Sequence, residues 1–190
     1  LALLTLTALP LVGKLTRPGA AAPKHAEADA GLKNTVVGAM QDRSYLLLHA
    51  GFFTCGFHIA FLVTHLPGEV DLCGLPASVS AASLAIIGIA NIVGSLGAGW
   101  LGQSHRMKWI LFWMYGTRAL AVGAYLLLPK TAETFYAFAA VLGLTWLATV
   151  PPTAGLVGKL FGTRFLATLF GLTLLSHQIG GFFGAWLGGL

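Results

Sequence analysis

Five stretches of the chain stay apolar for about the length that crosses a bilayer. They run approximately over 45–66, 77–101, 108–128, 134–157 and 165–190, and the polar breaks "PGEVDL", "GQSHRMK", "PKTAET" and "GKLFGTR" separate them. A hydrocarbon core about 30 Å thick asks for about 20 apolar residues per helix. Lipid admits only helices and closed barrels, and these runs are too long for barrel strands. The pattern therefore predicts an all-α integral membrane bundle. A shorter apolar run, "LALLTLTALPLV", opens the chain, with Lys14 and Arg17 after it. A secretory signal has the opposite order, so 1–13 reads as the tail of a transmembrane helix. The far end, "GGFFGAWLGGL", stops inside an apolar run, and the sequence reads as truncated at both ends.

Between these parts the pattern turns polar. The segment 18–31, "PGAAAPKHAEADAG", reads as a flexible linker. In "LKNTVVGAMQDR", Leu32, Val36, Val37 and Met40 fall on one helical face. That suits a short helix lying on the inner membrane surface; a disordered linker end is the equal alternative. The expected organisation is a linker over 14–43 and a transmembrane bundle over 44–190.

Composition sharpens the class. Of the 190 residues, 56% are hydrophobic and 9% charged, with a mean hydropathy of +0.81. Soluble domains carry about 25% charged residues, so a soluble globular protein is excluded. The net charge of +5 is scattered in short groups, which argues against a nucleic-acid partner. Lys14, Arg17, Lys24, Lys33 and Arg43 precede the first full run. Arg106 with Lys108, and Lys159 with Arg164, mark alternate later connections. Basic excess marks cytoplasmic loops, which places 14–43, 102–108 and 158–164 on the cytoplasmic side of a cytoplasmic membrane. Cys55 and Cys73 fall at different depths, so no bridge is expected.

Within "WMYGTRALAVGAY" (113–125), Arg118 stands in the middle of an apolar run. A mid-membrane arginine costs at least about 2.5–3.5 kcal/mol on insertion scales, so it needs a partner. Every acid (Glu27, Asp29, Asp42, Glu69, Asp71 and Glu133) lies in a loop or at a loop edge. Three partners remain open: an acid outside this sequence, backbone carbonyls of a broken helix, or an anionic ligand. Tyr115 and Tyr125 share the Arg118 face and offer a structural network. His58 shares a face with Thr54, Cys55 and His65; His177 follows Thr173 by one turn; Asn91 aligns with Ser83 and Ser95. Polar residues at this depth usually face the protein interior and mark pathways. Pro151 and Pro152 must kink or break their helix, freeing carbonyls, and Thr145, Thr149 and Thr153 recur beside the break. Gly180, Gly184 and Gly188 form a small-residue face for close helix packing, as do Gly94, Ala98 and Gly102. No cofactor or metal is expected, because His58 and His65, seven residues apart, lie about 10 Å apart along one helix. No Ser–His–Asp set, HExxH or phosphate loop points to an enzyme.

These features together resemble the second half of a major facilitator superfamily transporter. "GFFTCGFHIAFLVTHLP", "NIVGSLGAGWLGQSHRMKW" and "GTRFLATLFGLTLLSHQIGGFFGAWLGGL" carry the likeness, which is nearest to the bacterial monocarboxylate-porter-like branch. In "GWLGQSHRMK", Gly99, Arg106 and Lys108 echo the family's cytoplasmic signature, with Gln103 where an acid would stand. The resemblance implies the tail of helix six plus helices seven to eleven of a twelve-helix fold. The partners are then a small-molecule substrate, the lipid bilayer, and the N-terminal half and helix twelve of the same protein. It implies alternating-access transport of small solutes, with small organic anions favoured. If the transport is proton-coupled, His58 or His177 is the proton carrier in this half. Helix nine, which would hold Arg118, is peripheral in that fold, so structural fastening ranks slightly ahead of substrate binding for this residue. The rival readings are a redox subunit with a haem between His58 and His177, an intramembrane enzyme, and a non-transporting scaffold.

Overall fold

A computed structural model describes residues 31–189. The expected helix tail over 1–13 and the basic residues Lys14, Arg17 and Lys24 lie outside the described residues, as does most of the linker. Among the described residues every regular element is helical. A short helix α1 (Leu32–Ala39) precedes α2 (Arg43–Leu72), α3 (Ala77–Ser104), α4 (Met107–Leu127), α5 (Ala132–Trp146), a 3₁₀ turn (Leu147–Thr149), α6 (Val150–Phe161) and α7 (Leu166–Leu187). Counting α5 to α6 as one broken span, five helices are long and apolar enough to cross a membrane.

Caps and turns set the helix ends. The Asp42 side chain accepts from the Tyr45 N–H at 3.0 Å and opens α2. Thr131 does the same for Thr134 at 3.4 Å and opens α5. Gly162 ends α6 at φ 76°, ψ −177°, a conformation essentially restricted to glycine. In α1, Val36 and Ala39 pack with Tyr45, Val157 and Leu169, while Leu32, Val37 and Met40 are exposed.

One boundary differs from the pattern. The first full run is expected to end near 66, yet α2 continues through Pro67 to Leu72. Leu66 and Val70 are buried there against Val79 and Phe135, and that packing offsets the hydrogen bond the proline removes. Glu69 and Asp71 therefore stand in the last turns of a helix, not in a loop.

The bundle is built on two close helix pairs: α2 with α7, and α3 with α5 and the 3₁₀ turn. Gly180 and Gly184 of α7 lie against the carbonyls of Phe53 and Phe57, and Gly56 of α2 lies against the carbonyl of His177. The contacts rise together along both helices, so α2 and α7 run in the same direction. Gly188 lies against the side chains of His65 and Phe61. Gly94 meets the Leu144 backbone, and Ala98 is buried with Ile110 and Ala148. A β-carbon at Gly102 would meet nothing within 4 Å outside its own helix backbone, so the expected small-residue face of α3 ends one turn earlier. The core joins Cys55, Ile59, Ile87, Phe138, Ala139 and Leu142. Outward faces are apolar too, with Ile89, Leu96, Trp100 and Leu120 all at least two-thirds exposed, as a lipid-facing surface requires.

Candidate functional site

The broken span organises the centre of the bundle. Its break falls one turn before the position the prolines suggest. Pro151 and Pro152 lie in the first turn of α6, where a missing N–H costs no intrahelical bond. The preceding turn, Leu147–Thr149, is 3₁₀. A 3₁₀ N–H reaches back three residues, not four, so the Thr145 carbonyl loses the N–H that a continuous α-helix would bring it.

Arg118 takes that carbonyl. Its Nη2 donates to the Thr145 oxygen, its Nε to the Thr145 hydroxyl at 3.4 Å, and its Nη1 to the Cys55 sulfur at 3.0 Å. The Tyr115 ring centroid lies 5.7 Å from the guanidinium carbon. The side chain is 1% exposed. Of the partners left open by the sequence, the described residues supply the carbonyl of a broken helix, together with a thiol that sequence reasoning did not pair with it. Tyr125 is not in this network. It donates to Glu69 Oε1 at 3.3 Å, and its backbone oxygen accepts from Lys130, whose ammonium sits 4.0 Å from the Tyr125 ring.

A cavity of about 570 Å³ opens between α2 and α4, and Arg118 forms part of its wall with Thr54, His58 and Tyr115. The other lining residues are small or aliphatic. Of the residues singled out from the sequence, His58 and Arg118 meet here. Asn91, Thr149 and His177 do not line it. Asn91 is buried on α3, and its Oδ1 accepts from the Leu147 N–H at 3.0 Å, securing the first residue of the 3₁₀ turn. Thr149 turns its hydroxyl to the Trp146 carbonyl at 2.9 Å, and Thr153 bonds the Thr149 carbonyl at 2.8 Å. The three threonines therefore satisfy backbone at the break. His177 packs edge-on to Phe52, with ring centroids 5.9 Å apart.

Another polar pair has no counterpart in the sequence reading. His49 Nδ1 lies 2.6 Å from the Ser176 hydroxyl, and the His49 ring stands edge-on to Tyr45, centroids 4.4 Å apart. The residues are 127 positions apart, so only the α2–α7 pairing brings them together. Among the described residues no group of three or more His, Cys, Asp or Glu is placed to hold a metal ion.

The role of Asn91 leads to a first expected result. Asn91→Ala leaves the part-buried Leu147 N–H without its side-chain acceptor, which costs about 1–3 kcal/mol. Thermal melting of the purified protein in detergent should show it as a clear drop. Ser95→Ala, which removes an exposed local bond to the Ile92 carbonyl, should stay within about 0.5 kcal/mol.

Five membrane-length helices around a buried polar centre define a multi-pass membrane protein. The chain belongs to the Major Facilitator Superfamily, whose family model matches residues 1–185. It is 30% identical over 161 residues to the "Uncharacterized MFS-type transporter YcxA" of Bacillus subtilis (strain 168), across 79% of this chain and 38% of that protein. The chain thus spans about two-fifths of the length of that curated relative. No solved structure matches it. Nothing in these relationships supports a haem-bearing redox subunit.

Proposed function

We propose that this chain forms part of a secondary active transporter that moves small organic anions, such as monocarboxylates, across a cytoplasmic membrane by alternating access. Its five spans take the places of helices seven to eleven in a twelve-helix fold of the monocarboxylate-porter-like branch. The turns around 102–108 and 158–164, and the linker over 14–43, face the cytoplasm, where α1 lies along the membrane surface. Lipid, the N-terminal half and helix twelve complete the bundle. Family membership supports transport. The observation that supports an anionic substrate is Arg118, a buried guanidinium in the wall of a cavity whose other polar side chains are those of Thr54, His58 and Tyr115. Three of its five N–H groups are engaged, which leaves two for a carboxylate. If the transport is proton-coupled, His58, in the same wall, or His177 is the proton carrier in this half.

A second reading rests on the same three bonds: Arg118 fastens α4 to α2 and to the broken span, and the substrate binds elsewhere. The experiment that separates them is uptake of labelled lactate, pyruvate and oxalate into proteoliposomes of the full-length transporter under an imposed pH gradient. Arg118→Gln should lower uptake at least about tenfold while insertion persists, a loss of about 1.4 kcal/mol or more. Uptake equal to the unsubstituted protein makes Arg118 a fastener only. His58→Gln with His177→Gln should abolish the dependence on the pH gradient; an unchanged dependence removes both histidines as carriers.

A further inference from the structure

The cavity between α2 and α4 follows α2 from Leu47 to His58, a length of about 16 Å along the helix axis. Arg118 does not stand in the middle of that length. It reaches across at the level of Cys55, to which its Nη1 donates, so about 12 Å of α2 lies between it and Leu47. Thr54 stands beside the guanidinium and His58 beyond it. On the other side the wall changes character. It consists of Leu47, Ala50 and Gly51 on α2, faced by Tyr115 from α4. At Gly51 the missing side chain leaves room for the hydroxyl end of the Tyr115 ring, 3.5 Å from where a β-carbon would stand. Thr54 donates to the Ala50 carbonyl at 2.9 Å, while among the described residues the Tyr115 hydroxyl and the His58 ring nitrogens have no hydrogen-bond partner. A three-carbon acid such as lactate spans about 4 Å, little more than one residue of extended backbone. Bound to Arg118, it leaves the apolar wall uncovered.

We propose that the cavity takes monocarboxylates with a long apolar body, of the arylalkanoate class, in preference to acids the size of lactate. The inference rests on Arg118 as the anion site and narrows what that site accepts. The carboxylate takes the two N–H groups that the protein leaves open on Arg118. The body then runs along α2 toward Leu47, where about 12 Å of wall holds a chain or ring system of up to about nine carbons. Leu47, Ala50 and Gly51 offer that body no polar side chain to desolvate, so each methylene buried there tightens binding about fourfold. An aryl body gains more than an alkyl chain, because it also meets the Tyr115 ring, and paired rings add to what burial alone supplies. The small residues at 50 and 51 keep this arm of the cavity open. Ala50 is exposed to it, so a leucine there, or at Gly51, fills the arm without disturbing the α2–α7 contact.

The test is equilibrium binding to the full-length transporter in detergent, measured by calorimetric titration with lactate and with 3-phenylpropanoate. The longer acid should bind at least about thirtyfold tighter. Arg118→Gln should weaken both acids by about tenfold or more. Ala50→Leu should cut the preference for 3-phenylpropanoate over lactate at least about tenfold. Gly51→Leu should do the same, and it keeps the test decisive if either leucine variant fails to melt as a folded protein. Equal affinity for the two acids, with both lost in Arg118→Gln, would overturn the apolar arm and leave the anion site standing. A preference for the longer acid that survives in a folded leucine variant would also overturn it, since the body then lies elsewhere. If neither acid binds, or if both bind Arg118→Gln as tightly as the unsubstituted protein, the anion site fails and this proposal fails with it.

Discussion

Arg118→Lys should destabilise the bundle by about 3 kcal/mol, and by more than Arg118→Met does. The order runs against charge conservation and follows from geometry. The guanidinium serves the Thr145 carbonyl, the Thr145 hydroxyl and the Cys55 sulfur from three different nitrogens of one plane. A lysine ammonium is a single point on a flexible stem and cannot occupy those three places. It keeps a charge in the core while losing most of what holds that charge, and leaving buried polar groups unpaired costs about 1–3 kcal/mol each, more where a charge is involved. Methionine removes the charge itself. The Thr145 carbonyl is then left without a partner, for about 1–3 kcal/mol, offset by the insertion cost of about 2.5–3.5 kcal/mol that the arginine no longer imposes. Thermal melts of the three proteins in one detergent decide the matter. Lysine melting at or above methionine would mean that a charge, not its fork of donors, is what the site holds.

Gly180→Ala is the second large effect, at about 2–3 kcal/mol. A β-carbon at Gly180 would fall inside 3.0 Å of the Phe53 carbonyl, and one at Gly184 inside 3.0 Å of the Phe57 carbonyl. A flexible side chain yields to such a clash. A helix backbone yields only by moving as a body, so α2 and α7 must separate along their length. That separation also disturbs the Tyr45 hydroxyl bond to the Leu169 carbonyl at 2.7 Å and the His49–Ser176 contact. Gly184→Ala added to Gly180→Ala should cost less than the sum, because one separation makes room for both methyls. Gly171→Ala provides the control: it lies on the same helix, a β-carbon there would meet nothing within 4 Å outside its own helix backbone, and alanine is the better helix former. Melting temperature and monodispersity on size exclusion measure all four proteins. A Gly180→Ala variant as stable as Gly171→Ala would show that the helices are not in backbone contact.

The five spans follow from run length alone, because the bilayer sets a minimum that no loop here reaches. Their ends are less legible: Pro67 and "PGEVDL" look like a stop, yet α2 continues through them because Leu66 and Val70 find a pocket made by two other helices. The broken helix is announced by Pro151 and Pro152, but the 3₁₀ turn that frees the Thr145 carbonyl sits before them. The need of Arg118 for a partner is plain from its surroundings in the sequence. The partner is not, since Cys55 lies 63 positions away and Thr145 lies 27.

The amino-acid sequence by itself determines the solvent of this protein, the number and order of its described membrane helices, and which few polar residues must be explained. Those are properties of single segments, decided by the cost of exposing polar backbone and charge to hydrocarbon. Only the tertiary structure decides that Arg118 meets Cys55, that Asn91 secures the broken span, that His49 meets Ser176, and that α7 lays its glycines against α2. Lipid gives apolar helices little reason to prefer one neighbour over another, so pairing rests on small residues and hydrogen bonds between positions far apart in the chain.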